Sequence, residues 1–310
     1  MIAQLRSGEL GERIQELPVV RACELLGANR SLVYRLPADR SGVEAEEARL
    51  MTDIERIVTR FPGYGYRRVT AQLVREGWRV NRKRVARLLG RLGLSCRTYR
   101  RRTRTTQSDH SRPVWPNLTR DLQVTSLNQL WVADITYVRL PGGFCYLACI
   151  LDAHSRRVLG WELGRSLEAS LALGALTSAL HGRCPSHGFQ GSLIHHSDRG
   201  VQYASDRYVQ TLLEHGIQVS MSCKGAPTEN ARAESFFRTL KVEEVCLADY
   251  LNYEEAQIAI ERFIDHVYNT KRLHSALGYV PPVEFEQAYA RCTCSQQQPN
   301  AVPMAAPVVQ

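Results

Sequence analysis

The sequence has 310 residues, 44% hydrophobic and 23% charged, a composition that describes a folded chain with one large core or two to three smaller ones. Its start, MIAQLRSGELGERI, lacks the apolar run of a secretion signal, and its most apolar stretch, FCYLACILDA, is far shorter than a bilayer span, so a cytoplasmic protein with no membrane partner is expected. Nine cysteines without a Cys-x-x-Cys pair exclude a disulfide scaffold and a common zinc framework, and the net charge of +9 is lopsided, with 25 Lys and Arg against 12 Asp and Glu in residues 1–120 and 15 against 19 in the remainder.

The basic half suits a polyanion, although a solvated arginine-rich surface would give the same charge. Within it, VVRACELLGANRSLVYR (residues 19–35) places Ala22, Leu25 and Leu26 at helical spacing, then Gly27 as a stop, then a short helix through Leu32 and Val33. That is a helix-turn-helix pattern in a segment spanning 1–48. Residues 49–95 repeat it in three helices, RLMTDIERIVTRF, RRVTAQLVREG and NRKRVARLLGRLGL, the last opened by Asn81 as an N-cap. In the last, Val85, Leu88 and Leu89 form an apolar stripe, while Arg82, Lys83, Arg84 and Arg87 lie mostly off it. An apolar back and an arginine front suit a major groove and its phosphates, though small bundles with no DNA role carry such stripes too. From 96 to 120 the period disappears, and CRTYRRRTRTT packs five arginines into residues 97–104, Arg100, Arg101 and Arg102 among them. This reads as a basic linker able to track a phosphate backbone.

After residue 120 the pattern becomes that of a sheet. LWVADITYVR is a strand, GGFCYLACILD a second that is apolar on both faces and so central, and RVLGWELG a third, joined by turns short enough for antiparallel hairpins. A helix (LEASLALGALTSAL), a strand (SLIHHS), a helix (SDRYVQTLLEHG) and a strand (IQVSMS) follow. The expected fold is α/β, a mixed five-stranded ribonuclease H-like sheet with flanking helices over 121–291, preceded by the helix-turn-helix segments. The stretch 292–310 has neither period nor charge and is expected to be disordered.

Asp134 lies inside the first of these strands among residues that read as buried, where an ionised acid needs a partner. The fold class puts the middle of the first strand beside the end of the fourth, where HHSDRGVQY carries Asp198. A third acid, Glu234, comes from TENARAESFFRTLKVEE, a helix beginning near Glu229 in which Asn230, Glu234, Arg238 and Lys241 share one face. Three converging carboxylates repel unless they hold divalent metal, and oxygen-only ligands favour Mg²⁺ or Mn²⁺ over zinc. Such a trio fits phosphoryl chemistry, with two ions clamping the attacking and leaving oxygens. The bland alternative is a structural network in which Asp134 is satisfied locally, Asp198 caps a turn and Glu234 is exposed. Asp152 reads as a turn residue, and His195 and His196 straddle the sheet with no partner at ligand spacing.

With these motifs the sequence resembles the B-frame transposases of bacterial insertion sequences, the group closest to retroviral integrases. The resemblance is carried by LWVADITYV, HHSDRGVQYAS, NARAESFFRTLK and YNTKRLHSALGYVPPVEFE, with 63 residues between Asp134 and Asp198 and 35 between Asp198 and Glu234. It extends to FPGYGYRRV, which contains Arg67 and Arg68 and resembles the family's integrase-linked helix-turn-helix, and so covers roughly residues 19–288. It implies metal ligation by Asp134, Asp198 and Glu234, strand cleavage and transfer at the terminal inverted repeats of an element, and integration into target DNA. DNA contacts are expected from Lys241, Arg238, Asn230, Arg67 and Arg68 as well as the basic residues above, with Arg272 and His274 close to the site. A structural, turn-capping role for His274 stands beside that of a phosphate contact. Partners implied are a homo-oligomer in a synaptic complex at the nucleoid and an upstream A-frame product as a fusion. Glu229-Asn230 stands where the family usually has Asp-Asn, and the zinc-binding module of retroviral integrases is absent. A DNA-binding regulator and a purely hydrolytic nuclease are the rival functions; the first would need no acidic trio.

Overall fold

The computed structural model describes residues 19–25, 27, 29, 41–94, 113–223 and 227–296. It divides into two compact units, Met1–Asp53 and Ile54–Gln310. In the first, α1 (Val19–Leu25) buries Cys23 and exposes Leu25, and Gly27 follows with φ +58°. The second short helix expected through Leu32 and Val33 lies outside the described residues, as does most of the basic linker, including Arg100, Arg101 and Arg102. Helix α2 (Ser41–Arg60) begins in the first unit, and its residues from Ile54 onward belong to the second.

The second unit opens with a small helical bundle. Ile54 and Ile57 of α2, Val69 and Leu73 of α3 (Tyr66–Arg75), and Val85, Leu88 and Leu89 of α4 (Arg82–Arg91) are all buried, which is the apolar periodicity of the sequence turned inward. Phe61 and Tyr64 stack with ring centroids 4.6 Å apart in the turn between α2 and α3. Asn81 caps α4, its side chain accepting from the Arg84 N–H at 2.8 Å, and Arg82, Lys83 and Arg87 are exposed.

The sheet has the order β3-β2-β1-β4-β5. β1 (Leu130–Leu140) runs antiparallel to β2 (Gly143–Asp152), which runs antiparallel to β3 (Val158–Gly164); on its other side β1 is parallel to β4 (Leu193–Ser197), and β4 to β5 (Ile217–Met221). This is the mixed five-stranded arrangement expected from the sequence. Alternation along each strand feeds two cores. Leu130, Val132, Val138, Leu147 and Leu151 face α7 (Ala231–Leu240) and α8 (Tyr253–Glu261), contributing to one cluster with Phe236, Phe237, Leu240 and Ile260. Trp131, Ala133, Ala148 and Ile150 form the other with α5 (Ala169–Arg183) and α6 (Asp206–Glu214). The β2 strand feeds both, which is why its sequence is apolar throughout.

Two boundaries differ from expectation. Glu229 belongs to a 3₁₀ turn, Pro227–Asn230, and the α-helix begins at Ala231; beyond Leu240 the chain continues as a π-helix, Lys241–Val245. The last helix, α9 (Pro282–Gln296), runs past Cys292, where a structureless tail was expected to begin, because a helix already nucleated adds further residues at little cost. Among the described residues no helix is long and apolar enough to cross a membrane.

Candidate active site

The parallel ladder of β1 and β4 pairs Leu130 with Ile194, Trp131 with His195 and Val132 with His196. Asp134 lies two residues beyond Val132 in β1 and Asp198 two residues beyond His196, just past the end of β4, so both carboxylates stand at the end of this ladder. Asp198 is held by the loop it opens: the Gly200 N–H donates to its Oδ1 at 2.9 Å, and Arg199 Nε donates to the Ser222 carbonyl at 2.9 Å, fastening that loop to the end of β5. A Cβ at residue 200 would stand 3.0 Å from Asp198 Oδ1 and from the Gln202 side chain, so a larger residue there would press on the aspartate.

Asp134 is half-buried, and the Ile135 N–H donates to its Oδ1 at 2.8 Å. Its carboxyl is pushed up to about 8, first by burial and then by the charge of Asp198; the Ile135 hydrogen bond opposes this, Glu234 adds to it, and Lys241 subtracts. Asp198, Glu234 and Lys241 thus all act electrostatically on Asp134. Glu234 stands on the exposed face of the first turn of α7. The helix is pinned there by Asn230, whose Nδ2 donates at 3.0 Å to the carbonyl of Ala133, the residue before Asp134. Lys241 follows on the π-helical continuation.

The donor set suits a hard divalent ion. It consists of carboxylate oxygens, while the neighbouring Cys149, paired with Asp134 across β1 and β2, is kept as a thiol by burial and by that aspartate's charge. Asn230 Oδ1 is buried with no hydrogen-bond donor among the described residues, an acceptor suited to ion-bound water. As they stand, no three His, Cys, Asp or Glu side chains among the described residues are gathered closely enough to enclose an ion. Like charges without a cation spread apart, and Glu234 is the exposed member with freedom to swing.

Around this centre Glu229 ties the chain together. Its carboxylate accepts from the Cys223 N–H at 2.6 Å and lies 3.5 Å from Arg120 Nε; the Cys223 hydrogen bond holds it below the usual carboxylate range, with Arg120 assisting. His195 bonds to the Tyr208 hydroxyl and His196 to the Ser220 hydroxyl, each at 2.9 Å; burial pushes the rings down to about 3 and about 4, so both stay neutral. Asp152 accepts from the Asn128, His154 and Ser155 N–H groups, which makes it the turn residue that the sequence indicated.

Three expected DNA contacts sit elsewhere. Arg272 is buried and donates twice to Glu243, at 2.8 and 2.6 Å. Its neighbour Leu273 donates its N–H to the Tyr64 hydroxyl at 2.6 Å and accepts from Arg68 Nε at 3.1 Å. Gly63 packs so closely on Glu243 that a Cβ would overlap its carboxylate. His274 is buried against Tyr268, centroids 4.8 Å apart, and is pushed down to about 2 by burial and by Arg272, Arg68 and Arg156. Arg68, Arg272 and His274 therefore form the seam between the helical bundle and the helical segments that follow α7 and α8, because FPGYGYRR and RLHSALGY meet there. Sequence reasoning missed Glu243, which no local spacing connects to Arg272.

Arg67, Arg82 and Lys83 do remain at the surface. With Val74, Asn81 and Tyr279 they line an open groove of about 680 Å³, and none of the three cations is paired with a carboxylate among the described residues. Arg84 is half-buried, and Arg238 is exposed one turn beyond Glu234.

Residues 125–227 match the family description Integrase core domain, residues 215–282 match a second Integrase core domain description, and residues 44–102 match an HTH-like domain. The uncharacterized 31 kDa protein of insertion element IS600 from Shigella sonnei is 38% identical over 272 residues, 86% of this chain and 98% of that protein. The transposase of insertion sequence element IS629, also from Shigella sonnei, is 37% identical over 254 residues, 82% of this chain and 84% of its own length. Among solved structures, the HTLV-2 integrase catalytic core domain in complex with magnesium is 13% identical and covers 51% of this chain and 95% of that one, with a TM-score of 0.37.

Proposed function

Since the chain belongs to the insertion-sequence transposases that carry an integrase core domain, we propose that Asp134, Asp198 and Glu234 are its catalytic acids and the ligands of two Mg²⁺ or Mn²⁺ ions. The protein is a DDE transposase, a polynucleotidyl transferase that acts in DNA transposition. The observation that supports the residue assignment is the β1–β4 ladder, which ends at Val132 and His196, two residues before Asp134 and Asp198, while Asp198, Glu234 and Lys241 all act electrostatically on Asp134.

When bound, such ions lower the pKa of an attacking water or 3′-hydroxyl and stabilise the departing oxygen. The chain's own part is to fix their ligands. The Ile135 N–H engages Oδ1 of Asp134 and the Gly200 N–H engages Oδ1 of Asp198, and these bonds orient the two carboxylates. Asn230 anchors the start of α7 on β1 and so sets the approach of Glu234. Lys241 takes a phosphate beside the scissile bond, with Arg238 further along the strand.

The terminal duplex lies along the groove of Arg67, Arg82 and Lys83, with Arg84 next in the chain. Arg100, Arg101 and Arg102, at the end of the HTH-like match, contact its phosphates. Pairing two ends and a target requires at least two protomers, and the upstream A-frame product joins as a fusion in the bacterial cytoplasm. The test is a cleavage and strand-transfer assay with purified chain, a labelled element end and Mg²⁺, with and without the upstream product. Asp134→Asn and Glu234→Gln should abolish cutting and joining while end binding stays within about twofold. Cleavage by either variant at the wild-type rate removes the assignment.

A further inference from the structure

Tyr203 sits five residues past Asp198, on the loop that the aspartate opens. It is 3% exposed, and its N–H donates to the Gly200 carbonyl at 3.0 Å. Its ring stands edge-on to Tyr208, centroids 5.5 Å apart at 75°, and 6.4 Å from His195. The two tyrosines differ in one respect. The Tyr208 hydroxyl bonds to His195 Nε2 at 2.9 Å, whereas the Tyr203 hydroxyl is buried and has no hydrogen-bond partner among the described residues. A phenylalanine would fill the same space without burying an unmatched donor, so the hydroxyl costs the fold something that packing does not return.

Its surroundings indicate what it is for. A Cβ on Gly200 would lie 3.0 Å from Asp198 Oδ1 and 3.6 Å from Tyr203 Cδ2, so one small gap separates ring and carboxylate. The charges that act on the phenol, beyond Tyr208, are Asp134, Asp198 and Cys149, the last being the cross-strand partner of Asp134. Asp134 Oδ1 is engaged by the Ile135 N–H, and a carboxylate has capacity for further donors.

We propose that Tyr203 is a positioning residue of the metal centre, its hydroxyl donating to the Asp134 carboxylate when that carboxylate ligates a divalent ion. Outer partners of this kind orient a ligand, and their loss weakens metal affinity by about ten- to a hundredfold. The hydroxyl that is unmatched in the metal-free protein then has its acceptor, and the ligand is held in one rotamer. The inference rests on the reading of Asp134 as a ligand.

The test compares the wild-type chain with Tyr203→Phe in three measurements: thermal unfolding in EDTA, calorimetric titration with Mg²⁺ and Mn²⁺, and the Mg²⁺ dependence of cleavage of a labelled element end. In EDTA the variant should melt at or above the wild-type temperature. Its dissociation constant for Mg²⁺ should rise about ten- to a hundredfold. The Mg²⁺ concentration for half-maximal cleavage should rise in proportion, with cutting restored at excess Mg²⁺. Unchanged metal affinity overturns the proposal, and so does a lower melting temperature in EDTA, which would mean that the hydroxyl already has a partner within the fold. If wild type binds Mg²⁺ and cleaves while the variant matches it, this inference alone fails. A wild-type chain without metal-dependent cleavage fails the underlying assignment as well.

Discussion

Replacing Arg272 by alanine tests whether the RLHSALGY block serves the seam rather than the DNA. Arg272 makes two hydrogen bonds to Glu243, at 2.8 and 2.6 Å, and both side chains are only 4% exposed. Removing the cation leaves a carboxylate enclosed without its partner, a change that costs about 3–5 kcal/mol in buried pairs. Against a total stability of about 5–15 kcal/mol, that is a large fraction. Replacing both residues by methionine removes both charges and retains most of the volume, so the double variant should lose less than the single one. The assay is urea unfolding of the full chain, followed by tryptophan fluorescence and circular dichroism, with end-binding measured over a range of salt concentrations. The single variant should lose about 3–5 kcal/mol while its folded fraction keeps the wild-type salt slope. A loss below about 1 kcal/mol, together with a salt slope reduced by about one, would refute the reasoning and return Arg272 to the DNA.

Other outcomes follow from the same structure. Asp134→Asn should stabilise the metal-free chain: a carboxyl raised from 3.8 to about 8 carries an upper limit of about 5–6 kcal/mol, reduced to about 1–3 kcal/mol by the water that reaches this half-buried group. The folded-state value is raised, so the stabilising contribution of the protonated acid is complete below pH 3.8 and is lost as pH rises through about 8. The stability difference between variant and wild type should therefore widen over that interval in EDTA, and a difference that does not vary with pH would contradict it. Replacing Arg82 and Lys83 together by alanine should weaken end binding at low salt and lower the salt slope by about two, while thermal stability stays within about 0.5 kcal/mol. Tyr64→Phe removes the acceptor of the Leu273 N–H, and denaturant unfolding should show a loss of about 1–2 kcal/mol.

What could be read from the sequence was what short-range pattern controls. Alternation placed Asp134 within β1, the central character of β2 followed from apolar residues on both faces, and Asn81 announced the start of α4. The placing of Asp134 and Asp198 at the end of one ladder followed once strand order was inferred, because parallel neighbours advance in step. What could not be read were pairings set by distant partners. Arg68 and Arg272 stand in basic runs that look made for phosphate, yet each is taken up by a group far away in the chain, Leu273 205 residues beyond Arg68 and Glu243 29 residues before Arg272. Charge in sequence reports an ion's sign and says nothing of which side chain meets it. The π-helical turn at Lys241–Val245 departs from the 3.6-residue period on which the shared face of Asn230, Glu234, Arg238 and Lys241 was counted. Asn230, in the 3₁₀ turn before the helix, anchors it on β1, while Glu234 and Arg238 stay exposed. Tyr203 gave no signal, since an aromatic residue in a loop after a strand reads as packing.

The most direct measurement is anomalous diffraction from crystals of the full chain soaked in Mn²⁺. Two peaks about 3.5–4 Å apart, bounded by Asp134, Asp198 and Glu234 with Glu234 swung inward, are the predicted result. Peaks at other residues, or density showing Glu234 still turned to solvent at saturating Mn²⁺, would contradict it.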